Sequence, residues 1–273
     1  MLSRGTVSEV TCVPGKSLDI STAVNGDPGY NARTTRRALG LFAVSQRVTG
    51  KLLVEQRVDT PIGSGFGASG ASATSAVYAA SAALGLRLPK YHLALFAHRA
   101  EIIEQTGLGT VSVVYRGTGA GAIFKPGIPG VARFLAVKVP EDLRIVTAYL
   151  APYDKKNAIS SGPISERIDL LGQKALSSFL DDTSLENLAA QGERFSGGLG
   201  LESSEVKKLI AAAKSNGAMH ASQNMIGYAI HALTDEDRAA RVQKALKRTA
   251  PLARTDIFSI GKTRARVRLS SRK

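Results

Sequence analysis

The alternation of apolar and polar positions marks several strands. Residues 6–12 (Thr-Val-Ser-Glu-Val-Thr-Cys) and 51–58 (Lys-Leu-Leu-Val-Glu-Gln-Arg-Val) alternate with the period of two expected of half-buried strands. Segments 133–138 and 144–150 read the same way, and 111–115 and 120–124 read as a strand pair around Gly117-Thr118-Gly119. Helical spacing predicts helices over roughly 33–48, with Asn31 as its cap and Leu39, Leu41, Phe42 and Val48 in the core, and over 90–105, while the small-residue run 71–83 predicts another because Ala is the best helix former. Beyond residue 163 the pattern predicts helices near 164–180, 184–196, 203–214, 220–232 and 235–248, with short strands at 216–220, 254–259 and 263–269. Residues 13–32 are rich in turn formers, Pro14-Gly15 and Gly26-Asp27-Pro28-Gly29 among them. The polar, Pro-containing stretch 151–163 marks a candidate boundary between domains 1–150 and 151–273. Strands and helices in this mixture predict an α+β protein.

Composition narrows the class. The chain has 273 residues, 44% of them hydrophobic, enough for a sizeable core. No run approaches the ~18 apolar residues of a membrane span, and Met1 leads into Ser3-Arg4-Gly5 without the apolar segment of a signal peptide. Cys12 is the only cysteine, so the chain cannot form an internal disulfide. These features point to a cytoplasmic protein without membrane association. The net charge of +14 is concentrated at one end: residues 241–273 hold eleven Lys/Arg and one acid, Asp256, a local +10. In the run 262–269 a strand would put Arg264, Arg266 and Arg268 on one face and Ala265, Val267 and Leu269 on the other. A solvated basic face is favoured over nucleic-acid binding, because neither aromatic residues nor a known module accompany the charge. Such charge would also attract anionic substrates such as ATP.

The most informative stretch is Pro61-Ile62-Gly63-Ser64-Gly65-Phe66-Gly67-Ala68-Ser69-Gly70-Ala71, a glycine loop running into a small-residue helix. Such a junction offers unpaired N–H groups and the positive end of a helix dipole, a natural phosphate site. It is not a Walker A loop, since Gly70 is followed by Ala71-Ser72 rather than Lys-Ser/Thr. Gly65, Gly67 and Gly70 satisfy the dinucleotide pattern, but no acidic residue lies between Asp59 and Glu101 to hold a ribose.

The loop resembles the P-x-x-x-G-L-G-S-S-A-A loop of the GHMP kinases, and within them it is similar to the archaeal pantoate kinases. Further stretches carry the same resemblance: Asn25-Gly26, Thr34-Thr35-Arg36-Arg37-Ala38, Ala97-His98-Arg99-Ala100-Glu101, Thr106-Gly107-Leu108-Gly109, Lys125-Pro126-Gly127 and Ala221-Ser222-Gln223-Asn224-Met225-Ile226-Gly227. The resemblance implies an N-terminal domain like domain 2 of ribosomal protein S5, a ferredoxin-like C-terminal domain, and an active site between them. It implies ATP held by Pro61, Gly63, Gly65, Gly67, Ala68, Ser69 and Gly70, and Mg²⁺ held by Ser69 and Glu101. It also places His98 near the acceptor.

The chain departs from the pantoate kinase pattern at three places. Thr110 stands where the family carries an Asp, the candidate general base, and a hydroxyl cannot take a proton as a carboxylate does. Ala122-Ile123-Phe124 occupy the region of the family's substrate-clamping arginine, which leaves Arg116 as the nearest substitute. The family also carries a strand and loop ahead of Ser3-Arg4-Gly5, so the sequence reads as shortened by about two dozen residues at its start, from a mis-assigned start codon or in an inactive paralogue. With Ser69, Glu101 and Thr110 as catalytic candidates and His98 and Arg116 as substrate contacts, the implied reaction is ATP-dependent phosphorylation of a small hydroxy acid. Pantoate, converted to 4-phosphopantoate for coenzyme A synthesis, is the expected substrate. The alternatives are another small alcohol or a catalytically impaired nucleotide-binding paralogue. The family leans towards homodimers.

Overall fold

The computed structural model describes residues 1–107, 109–117, 119–151, 162–225 and 227–268. Strand β1 (Thr6–Val13) pairs antiparallel with β3 (Gly50–Val58), and β2 (Leu18–Val24) pairs parallel with the other edge of β3, giving the order β1-β3-β2. The central strand alternates strictly, with Leu52, Val54, Gln56 and Val58 buried and Lys51, Leu53, Glu55 and Arg57 exposed. On its buried face lie α1 (Arg33–Ser45), α2 (Ala68–Ala83) and α3 (Lys90–Glu104). Helix α2 presents Ala73, Ala76, Val77 and Ala80 to this core, all fully buried. Its small side chains let three helices and the sheet meet around one axis.

Beyond α3 come α4 (Thr110–Arg116), the antiparallel pair β4 (Gly121–Lys125) and β5 (Arg133–Ala136), and then β6 (Leu143–Ala151). The second region continues with α5 (Gly162–Asp181), α6 (Leu185–Leu199), α7 (Ser204–Ser215), β7 (His220–Gln223), β8 (Tyr228–Asp235), α8 (Glu236–Thr249) and β9 (Arg254–Ser259). Its four strands form an antiparallel sheet of order β7-β8-β6-β9. Counting β6 as first, this is the 2-3-1-4 order of a ferredoxin-like unit with an enlarged first helical connection. The unit therefore includes β6, and a division after residue 150 cuts through the end of its first strand. Most of the predicted boundary segment, residues 152–161, lies outside the described residues. Ser184, Ser203 and Asp235 cap α6, α7 and α8, each accepting a backbone N–H three residues on.

The structure corrects several expectations. Residues 18–24, read as turns because Pro14-Gly15 and Gly26 bracket them, form β2. Helix α1 ends at Ser45, and its cap position is Ala32, with no side-chain cap from Asn31. Leu39 and Phe42 are buried as expected, while Leu41 and Val48 are only partly so. Residues 110–116 are helical despite three valines, because Gly117 in the left-handed region ends the helix and Val111 enters the first core. Residues 220–232 form the β7–β8 hairpin rather than a helix. The tail 263–268 pairs with no strand; Leu269, at the end of the predicted strand, lies outside the described residues.

Burial lowers the pKa of two imidazoles, those of His98 on α3 and His231 on β8. His231 Nε2 lies 3.3 Å from Ser222 Oγ, and its Nδ1 is buried. Below a pH of about 6.5 the unfolded chain takes up protons that the folded chain resists, so stability falls with falling pH. The expected slope is up to about 1.4 kcal/mol per pH unit for each fully differing proton. Urea midpoints between pH 7.5 and 5 check this, and His231→Gln is expected to flatten the slope. A midpoint flat over that range would contradict it.

Candidate active site at the glycine loop

Strand β3 delivers the chain into the loop, where Ser64 Oγ donates to the Pro61 carbonyl. Gly67, left-handed at φ 72°, takes the N-cap position of α2, and no side chain caps the helix. Ser69 is therefore not the cap. It sits in the first turn with an exposed face, and among the described residues its hydroxyl has no hydrogen-bond partner. The first N–H groups of α2 have no partner within the helix, as at any helix start. Pro61 and Gly63 lie at the entry of the loop.

Three distant segments converge on this loop. From α3, the carboxylate of Glu101 is 1% exposed and lies so close to Gly70 that a Cβ there would stand 2.6 Å from Oε1. From the start of α4, Thr110 packs against Gly67, where a Cβ would come within 2.8 Å of its methyl group and 2.9 Å of its hydroxyl. From the β7–β8 turn, Asn224 Nδ2 donates to the Ser64 carbonyl at 2.8 Å. The Asn224 carbonyl would be 2.7 Å from a Cβ on Gly65. Gln223 Nε2 braces that turn on the Gly227 carbonyl at 2.9 Å. The approach is close enough that only glycine fits at 65, 67 and 70.

Two cavities flank the loop. One, of about 120 Å³, is lined among others by Tyr30, Asn31, Arg33, Gln56, Ser69 and Thr106. The other, of about 500 Å³, runs along Gly65, Phe66, Gly67 and Thr110 to Arg264 and Arg266. Ser69 opens into the first and Thr110 into the second, with Ala68 shared between them. His98 is buried in α3 and lines neither; its Nδ1 has no hydrogen-bond partner among the described residues. Arg116 is exposed at the last turn of α4 and also lines neither cavity. Ala122-Ile123-Phe124 belong to β4, half-buried to exposed.

Sequence reading missed Gln56, although a polar residue on the buried face of an alternating strand was a usable signal. Its amide nitrogen donates to Ser8 Oγ (2.7 Å) and to the Ser72 carbonyl (3.0 Å), while its oxygen accepts from Thr35 Oγ1 (3.2 Å). This ties α2, and with it the loop, to the sheet and α1. Thr34 and Thr106 hydroxyls, 3.2 Å apart, add a further tie beside the small cavity.

The oxygen donors at the start of α2 are of the kind that would hold a hard cation. Ser69 Oγ and the Glu101 carboxylate are oxygen donors at one helix start, and a triphosphate on that helix would repel the carboxylate unless a cation lay between them. Among the described residues no group of three His, Cys, Asp or Glu could hold a metal by itself, so nucleotide phosphates and water would supply the other ligands. No described helix is long and apolar enough to cross a membrane.

Comparison with known proteins shows what this chain is similar to. The profile of the GHMP kinases N terminal domain matches residues 32–118. A pantoate kinase of Thermococcus kodakarensis is 28% identical over 253 residues, 90% of this chain and 81% of that one. A pantoate kinase of Methanospirillum hungatei is 27% identical over 182 residues, 66% of this chain. That match spans 58% of the Methanospirillum protein's length. A solved structure described as a phosphotransferase related to the CoA biosynthesis pathway superposes with a TM-score of 0.82 at 26% identity, covering 96% of this chain and 86% of that one. Profile, relatives and superposition agree with the converging loop, carboxylate and hairpin turn: residues 32–118 match the GHMP kinase N-terminal domain, and the chain is similar over most of its length to pantoate kinases.

Proposed function

We propose that this protein transfers the terminal phosphoryl group of ATP to a small hydroxy acid, pantoate, forming 4-phosphopantoate for coenzyme A synthesis. The observation that carries the reading is the meeting of the glycine loop, Glu101 and Thr110 at one helix start between two cavities. The pantoate kinase relatives support the choice of acceptor. In this reading the nucleoside takes the Ser69 side, and the N–H groups of Ala68, Ser69 and Gly70 receive the phosphates. The acceptor enters from the Thr110 side. Mg²⁺, held by Ser69 and Glu101, neutralises charge on the phosphates when bound.

Phosphoryl transfer asks mostly for alignment and charge neutralisation. The larger cavity has no acidic side chain among its lining residues, and Thr110 cannot act as a base. The Thr110 hydroxyl instead orients the attacking hydroxyl, which bonds to the terminal phosphorus as the bond to the ADP oxygen breaks; its proton passes to an oxygen of the transferred phosphoryl group, and ADP leaves. A cytoplasmic location and a homodimer belong to the same proposal. The exchange of a family Asp for Thr110 favours, as second reading, a different small alcohol.

Purified protein with Mg-ATP is to be assayed against pantoate, homoserine and mevalonate, with Ser69→Ala as control. ADP and phosphorylated product are expected with pantoate and are expected to fall about 10²-fold in the variant. Turnover of another alcohol only would replace the acceptor, and ADP release with none of them would defeat the reading.

A further inference from the structure

The larger cavity is closed on one side by the C-terminal segment 262–268, which joins no sheet yet is docked in a defined place. Ala265 N–H donates to the Val114 carbonyl at 3.3 Å, and the Ala265 side chain packs against the first core. Arg264 Nε donates to the Arg116 carbonyl at 2.9 Å. Gly117, at φ 70°, admits the segment: a Cβ there would stand 2.5 Å from the Arg264 nitrogen. Arg264, Ala265 and Arg266 all line the cavity, and both arginines are exposed.

Their charge is uncompensated there. Neither forms an ion pair among the described residues, and no acid lines the cavity. The third arginine in its wall, Arg4, is already engaged: it lies 3.7 Å from Asp256 and stacks over Phe258 at 4.5 Å. Using Nε on a carbonyl leaves Arg264 both terminal nitrogens for a ligand. A guanidinium fork matches a carboxylate better than a point charge does.

We infer that Arg264 and Arg266 bind the carboxylate of the acceptor and select acids over neutral alcohols. The inference rests on the function proposed above. It assigns these residues to the acceptor, rather than to nucleotide phosphate, because they line the cavity that holds Thr110, whereas Ser69 lines the other.

The test uses the full chain in steady-state assays with pantoate, with pantoamide as its neutral analogue, and with ATP varied separately. Arg264→Ala/Arg266→Ala is expected to raise the KM for pantoate about 10- to 100-fold, the range for lost hydrogen bonds to a charged group. The KM for ATP and the turnover of pantoamide should stay within about twofold, which also shows that the variant is folded. Arg266→Lys should recover part of the affinity, having charge without the fork. An unchanged KM for pantoate overturns the inference while leaving the proposed function standing. A rise in the KM for ATP instead overturns it in favour of a phosphate contact. A wild-type protein that turns over no hydroxy acid overturns both.

Discussion

Glu101→Gln is expected to lower kcat by about 10³-fold, comparable to removing a preorganised charge-stabilising group from an active site. The substitution keeps the volume of a side chain that is 1% exposed and packed against Gly70 and Gly107, so little of the loss can come from a cavity. What changes is the charge at the start of α2. Near phosphates, a carboxylate at that place is useful only with a cation between them, and the glutamine loses the stronger oxygen donor. The variant should therefore need a higher Mg²⁺ concentration at fixed ATP. Magnesium titration of initial rates separates the two roles open to Glu101. An unchanged Mg²⁺ dependence, with only a lowered Tm, would make it a structural residue.

Gly70→Ala is the second large effect, and local propensity predicts its opposite. Gly70 has ordinary helical geometry inside α2, where alanine is favoured by about 1 kcal/mol. An added methyl group, however, would stand 2.6 Å from Glu101 Oε1, 2.9 Å from its Cδ and 3.0 Å from the Thr110 Cβ. Glu101 and Thr110 must then move away from the phosphate cradle by a substantial part of an ångström. Misplacement of about 1 Å costs on the order of 10²-fold in rate. We expect kcat to drop by about that factor while far-ultraviolet circular dichroism stays that of the native protein. Full activity in Gly70→Ala would mean that the helix start and Glu101 do not act on the same phosphate.

The parts of the fold that were legible are those whose causes are local. Helices α1, α3, α5, α6, α7 and α8 follow from helical patterning over twelve to twenty residues, α2 from its run of alanines, and β1 and β3 from alternation. The misread segments are short, and their partners decide them. Leu18–Val24 becomes a strand because β3 has a free edge beside it. Thr110–Arg116 is helical because Val111 reaches the core and Gly117 ends the turn. Residues 220–235 become a hairpin because β6 takes β8 as its neighbour. Propensity is a weak prior wherever tertiary pairing competes with it.

The site divides along the same line. By itself the sequence determined the phosphate loop, since the glycine spacing and the helix that follows lie within a dozen residues, and it paired His98 with Glu101 on one helix by their spacing of three. The tertiary structure alone decided that Glu101, Thr110 and Asn224 meet the loop at Gly70, Gly67 and Gly65, while His98 and Arg116 turn away from both cavities. It also brought Arg264 and Arg266, about two hundred positions further along the chain, to the wall of the same cavity. In sequence they were charges on one side of an alternating tail. Docking of the segment on α4, through Gly117 and Ala265, placed them in that wall.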